Sequence, residues 1–393
     1  MNLFNKRLLL FTFACFIPPA NAEPPFPSSY TAPEHNPTLI TNATVLTGDG
    51  QRLEGASVYF VNGKIVEVTD TAPEVTANTQ VIDAQGRWVT PGVIDVHSHL
   101  GVYPSPDVDA HSDGNEATAP VTAEVWAEHS IWPQDPGFGR ALAGGVTTLQ
   151  ILPGSANLFG GRAVTLKNVA SVSYQGMKFP GAPSGLKMAC GENPKRVYGR
   201  KGSGPSTRMG NIAGYRTAWI KAQDYRDEHA QYAALTREEQ KETKRPKRDL
   251  ELETLAGVLD GEIIIHMHCY RADEMLTILD LAKEFDYKVG TFHHGVEAYK
   301  IADELAENDV CGALWADWWG FKMEAYDGIQ ENITLVDRPD GSLSAPIVSA
   351  YTLLVPFWVI LNDFIFFKIE PNMNLVVGAM LIAFGLGVLI YKS

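Results

Sequence analysis

The chain has 393 residues, enough for one large domain or two ordinary ones. Hydrophobic residues make up 45% and charged residues 20%, a balance that permits a large core and argues against global disorder. A formal net charge of -14 argues against a nucleic-acid partner and suits a soluble or exported enzyme.

In chain order, residues 1–22 read as a secretory signal. Lys6 and Arg7 open it, Leu8 to Ile17 is apolar, and Ala20-Asn21-Ala22 is a small-residue cleavage site. The expected destination is the periplasm or the outside of the cell. Residues 23–36 are Pro- and Ser-rich and read as a linker. Residues 37–90 form a small β domain: Leu39 to Leu46, Ser57 to Val61, Lys64 to Val68 and Val81 to Val89 are β-rich, and Asn62-Gly63 marks a hairpin. Of the four cysteines, Cys15 falls in the signal. Cys190, Cys269 and Cys311 are too few and too far apart to suggest a disulfide framework or a zinc knuckle.

From residue 91 short apolar strands alternate with helical patterns. The strands are Val93 to Val96, Val146 to Leu152, Gly185 to Cys190, Ile263 to Met267, Val289 to Phe292 and Cys311 to Trp315. Met275, Ile278, Leu279, Ala282 and Phe285 share one helical face, as do Ala298, Ile301, Ala302 and Leu305. Alternation of this kind implies a parallel sheet wrapped in helices, and polar residues at each strand end favour a barrel. Asp224 to Asp249 reads as a solvated charged arm.

His97-Ser98-His99 ends the first of these strands. Residues two apart project to one side of a strand, so both imidazoles leave its C-terminal end together. Neutral imidazole is a common metal ligand, and the pair reads as half a metal site, with surface or core histidines as the alternative. His266 and His268 end the Ile263 strand, and His293 and His294 end the Val289 strand. One member of each pair is free to be a supporting or core residue. With no Cys pair, ligands must be His and carboxylate.

The pattern resembles the amidohydrolase superfamily, in its imidazolonepropionase-like branch, over about residues 37–337. The resemblance rests on Ile82-Asp83-Ala84-Gln85-Gly86, on Val89-Thr90-Pro91-Gly92-Val93-Ile94-Asp95-Val96-His97-Ser98-His99, and on Ala143-Gly144-Gly145-Val146-Thr147-Thr148. It extends to His268-Cys269-Tyr270-Arg271-Ala272-Asp273 and to His294-Gly295-Val296-Glu297-Ala298. It implies an α/β fold, a metal-bearing (β/α)8 barrel, with His97, His99, His268 and His294 as metal ligands. Lys187 stands where some relatives carry a carboxylated lysine bridging two metals, and Glu192 is a competing carboxylate, so one or two divalent ions, zinc by preference, are expected. Arg271 is a candidate clamp for a substrate carboxylate, or a partner of Asp273 or Glu274. Asn157, in the Gly-rich loop Pro153 to Arg162, and Tyr270 are candidate substrate contacts. Trp315, Trp318 and Trp319 are candidate pocket walls or core residues.

The implied activity is hydrolysis of a C–N bond in a cyclic amide or a small amide or peptide-like substrate by metal-activated water. The family's proton-shuttling Asp follows strand 8, in a short His-Ser-Asp or Thr-Asp segment. No such segment appears: Asp317 and Asp327 come too early, and Asp363 lies between apolar runs. The barrel, residues 91–340, is therefore expected to lack strand 8 and the catalytic Asp, and the chain to be poorly active. Residues 343–393 read as two apolar helices, around Ala345 to Leu361 and Leu375 to Tyr391, at the short edge of bilayer-spanning length. They resemble the end of an EamA-like drug/metabolite transporter. The expectation is a junction of two unrelated sequences near residue 340. The alternatives are a membrane-anchored or transport-related fusion, or a non-catalytic metal-binding remnant.

Overall fold

The computed structural model describes residues 25–315, 320, 322–337 and the backbone of 347–349. The signal segment, Asp317, Trp318, Trp319 and all of the apolar tail except 347–349 lie outside the described residues. Among the described residues no helix is long and apolar enough to cross a membrane.

The small β domain contains β1 (Thr38–Leu46), β2 (Arg52–Val61), β3 (Lys64–Thr69), β4 (Gln80–Asp83) and β5 (Trp88–Val89). β1, β2 and β3 are antiparallel, whereas β4 and β5 pair with β1 in parallel. Asn62 and Gly63 both take positive φ at the β2–β3 turn, the conformation their pairing predicts. Alternation buries Ala43, Val45, Ala56 and Val58 on one face.

The second sheet has eight strands: β6 (Val93–Ser98), β7 (Val146–Ile151), β8 (Phe159–Lys167), β9 (Ser184–Ala189), β10 (Ile263–Cys269), β11 (Val289–His294), β12 (Cys311–Leu314) and β13 (Ile347–Ser349). They lie side by side in chain order. The six strands read from the sequence are all present. Two departures change the expected barrel. The stretch from Phe159, read as part of a Gly-rich loop, is a nine-residue strand antiparallel to both β7 and β9. Its glycines permit close approach rather than a turn: a Cβ on Gly161, at φ +109, would meet the Val125 carbonyl oxygen at 2.5 Å. The eighth strand, expected to be missing, is present in short form. Ile347–Ser349 pairs in parallel with β12, inside the run read as the start of an apolar helix. A short apolar run rich in β-branched residues fits strand and buried helix alike, so periodicity does not separate them.

Helices cover the outside of the sheet. The helix Ala272–Phe285 buries Met275, Ile278, Leu279, Ala282 and Phe285, the face its 3.6-residue period predicts. The helix Arg208–Ala234 sets Tyr215 and Trp219 edge-on to Phe159 of β8. The segment read as a linker is anchored. Ser28 Oγ donates to the Lys178 carbonyl at 2.6 Å, and Phe26 packs edge-on to Trp126 and His129.

Cys190 and Cys269 form a disulfide, which the cysteine count did not suggest. They are 79 residues apart, but they sit at the ends of neighbouring parallel strands in which Ala189 lies opposite His268. Spacing along the chain does not reveal lateral strand order, and the pair depends on that order.

Candidate functional site

The C-terminal ends of β6, β9, β10 and β11 surround a cavity of about 570 Å³. His97, His99, Lys187, Glu192, His268, Tyr270 and His294 all line it, so most of the residues singled out in the sequence meet in one place. Asn157 and Arg271 do not line it. Asn157 is 1% exposed, and its amide reaches the carbonyls of Glu116 and Ala119, Thr122 Oγ1 and Tyr198 OH, which makes it an anchor for the loop before β8. Arg271 binds Asp273 at 3.0 Å, the pairing left open as its alternative.

On the floor of the cavity hydrogen bonds assign the ring tautomers of His99 and His268. His99 Nδ1 lies 2.7 Å from the Leu152 carbonyl oxygen, which can only accept. His99 therefore carries its proton on Nδ1 and offers a lone pair at Nε2. His97 Nε2 is 3.3 Å from that atom. Two ligands of a tetrahedral zinc-type ion at ~2.0–2.1 Å stand roughly that far apart. His268 Nε2 lies 3.2 Å from Asn193 Nδ2, whose amide N–H donates to it. The proton of His268 is then on Nδ1, which is buried without a partner. The rings of His268 and His294 are 4.3 Å apart, and Trp315 stacks on His294 at 4.3 Å. Among the described residues no group of three or more His, Cys, Asp or Glu side chains is gathered closely enough to hold an ion. The donors stand as two pairs, His97–His99 and His268–His294.

Lys187 of β9 lines the same cavity, 1% exposed, and Nζ donates to the Pro153 carbonyl at 3.0 Å. Burial without a counter-charge pulls its ammonium down to about 7. Burial also holds His99 down to about 4 and His97, His268 and His294 well below the ordinary imidazole range, with Lys187 adding to the effect. The floor is a set of uncharged nitrogen donors, the form a metal ion takes.

The rim is charged. Lys322 lies 3.4 Å from Glu192 and 3.5 Å from Glu324, and its Nζ sits 4.0 Å from the Tyr270 ring centroid. It also donates to Asn193 Oδ1 at 3.3 Å, while Asn193 Nδ2 reaches Ser155 Oγ at 2.8 Å. Sequence reading missed Lys322 and Asn193. Neither ends a strand, and only the fold brings the segment near residue 322 to the start of the helix Glu192–Arg200.

No family model matches the chain. A solved amidohydrolase from Thermotoga maritima MSB8 is 35% identical, with a TM-score of 0.71 covering 79% of this chain and 78% of that one. The curated amidohydrolase tasK of Hapsidospora irregularis is 33% identical over 331 residues, 74% of this chain and 33% of its own length. The imidazolonepropionase of Chromobacterium violaceum is 32% identical over 143 residues, 30% of this chain and 34% of its own length. The chain thus spans about a third of the length of these two curated relatives.

Proposed function

The chain belongs to the amidohydrolase superfamily, and from that membership we propose that it is a metal-dependent hydrolase of C–N bonds in cyclic amides or small amide or peptide-like substrates. One observation carries the reading: His97 Nε2 and His99 Nε2 face each other at 3.3 Å, with His99 Nε2 obliged to be a lone pair. The 3.3 Å separation is also that of two ligands on one tetrahedral zinc-type ion, whose place a proton on His97 Nε2 takes when no ion is bound. A zinc-type divalent ion would be held first by His97 and His99, and His268 and His294, the second pair of donors on the same cavity, would have to close in to complete its coordination. When bound, such an ion would polarise the scissile carbonyl and acidify a water molecule.

The remaining roles belong to the chain's own groups. Lys187, with its amine near neutrality, suits conversion to a carbamate that bridges two ions; Glu192, tied to Lys322 on the rim, is the weaker candidate. Asn193 holds His268 Nε2 and must withdraw for that nitrogen to ligate. Tyr270 and Asn193 border the space left for substrate. The disulfide suits the oxidising compartment that the signal-like N-terminus implies.

A second reading, metal binding with little turnover, has its own support. β13 stands where the proton-shuttling Asp would follow, and its sequence is Ile347-Val348-Ser349. Loading the purified protein with Zn²⁺, Mn²⁺ or Fe²⁺ and assaying cyclic amides and dipeptides tests both readings. Hydrolysis that a chelator abolishes supports the first. Stoichiometric metal without hydrolysis supports the second, and no retained metal contradicts both.

A further inference from the structure

The cavity is richer in basic groups than the chain around it. Its lining holds Lys187, Arg196 and Lys322 against one carboxylate, Glu192, in a chain whose net charge is -14. Two of the three basic groups are committed. Lys187 is buried on the floor and donates to the Pro153 carbonyl. Lys322 stands between Glu192 and Glu324, at 3.4 and 3.5 Å. Arg196 is exposed, and among the described residues no hydrogen bond or ion pair engages its guanidinium.

The helix Glu192–Arg200 shows how this comes about. Glu192 and Arg196 are four residues apart in it, so both lie on the face that lines the cavity. A glutamate followed four residues later by a basic residue is the favourable order for a pair within a helix. Here Lys322 takes the Glu192 carboxylate instead and leaves Arg196 without it. Asn193, three residues before Arg196, lines the same cavity and reaches His268 Nε2 at 3.2 Å. Arg196 is therefore rooted about 4.5 Å along the helix axis from a residue that touches the floor. A guanidinium there suits the far end of a substrate whose amide lies on the floor. It offers two parallel N–H groups that match a carboxylate, and it stays charged at any working pH. Arg271, the clamp expected from the sequence, lies off the cavity and pairs with Asp273, so Arg196 is the only arginine in the lining among the described residues.

We propose that Arg196 binds a carboxylate of the substrate, so that the cavity takes anionic amides, N-acyl amino acids or dipeptides, ahead of uncharged cyclic amides. The inference narrows the hydrolase reading and rests on it for the reaction, but binding can be tested without turnover. The probes are N-acetyl-L-alanine and its uncharged counterpart N-acetyl-L-alaninamide, titrated by ligand-observed NMR with hydrolysis followed in the same spectra. The parent should bind the acid about 10-fold more tightly than the amide, the scale of one charge-assisted hydrogen-bonded pair. Arg196→Gln should lose that preference and bind the amide as the parent does. Arg196→Lys, which keeps the charge but not the fork, should keep only part of it. Lys195→Gln, an equal loss of charge one residue away and outside the cavity lining, should keep all of it. Equal binding of acid and amide by the parent, no binding of the acid, or a preference that survives Arg196→Gln overturns the proposal. So does an equal loss in Lys195→Gln, which would mark long-range attraction in place of contact. A preference that depends on Arg196, in a protein that hydrolyses no amide, would instead contradict the hydrolase reading alone.

Discussion

The floor and the rim of the cavity solve opposite electrostatic problems a few ångströms apart. On the floor, burial keeps the imidazoles of His97, His99, His268 and His294 uncharged and brings the Lys187 ammonium down to about 7. On the rim, Lys322, Glu192 and Glu324 offset one another's charge in an ion-pair network. Asn193 links the two layers, donating to His268 and accepting from Lys322. The difference shows where each function can sit. Neutral donors held by rigid strands suit an ion, and a charged rim on helix ends and loops suits recognition and adjustment.

Breaking the floor should have the largest effect. His268→Ala removes a donor from the cavity and should weaken zinc binding by more than the ~100-fold that outer partners command. Equilibrium dialysis checks this, and the same substitution should leave the far-ultraviolet circular dichroism unchanged. The floor should also make the protein acid-sensitive. The floor histidines, and His266 buried behind them, protonate near 6.5 when unfolded but are held lower when folded, with His99 and His266 at about 4. Unfolding therefore takes up protons below pH 6.5, and stability is lost as pH falls from 6.5 toward 4, by on the order of a few kcal/mol for each such ring. Urea titrations at pH 7 and pH 4.5 measure it. A midpoint indifferent to pH would show that the floor is not as enclosed as its contacts imply.

The disulfide sharpens the contrast, because it ties together the ends of the floor strands β9 and β10. Reducing it, or the double variant Cys190→Ala, Cys269→Ala, should cost ~4 kcal/mol on chain-entropy grounds. A lowered melting temperature in calorimetry would show it. The smallest effect on zinc is expected at the rim. Lys322→Met should raise KM several-fold for any amide the enzyme accepts and leave zinc affinity within about twofold, since Lys322 contacts Glu192, Glu324, Asn193 and the Tyr270 ring and no imidazole of the floor directly.

Strand-end histidines were legible in the sequence because period-2 alternation on an apolar run fixes where a side chain points. His97, His99, His268 and His294 follow that rule or end on a residue that bends it. Asn157 and Arg271 sit off the strands, where side chains satisfy local backbone and charge before any ligand, and position in the chain does not reveal which. β8 was hidden by glycines that serve close packing against Val125, and β13 by an apolar run that reads equally as helix. The disulfide depends on the lateral order of strands, which no local pattern encodes.

The central claim is that the strand-end histidines form a metal site, and metal content tests it most directly. The protein would be incubated with excess Zn²⁺, gel-filtered and analysed by inductively coupled plasma mass spectrometry, beside the double variant His97→Ala, His99→Ala. The account predicts at least one equivalent of zinc per parent chain and almost none in the variant, with the same fold in both. Equal retention by the two proteins, or none by the parent, would contradict it.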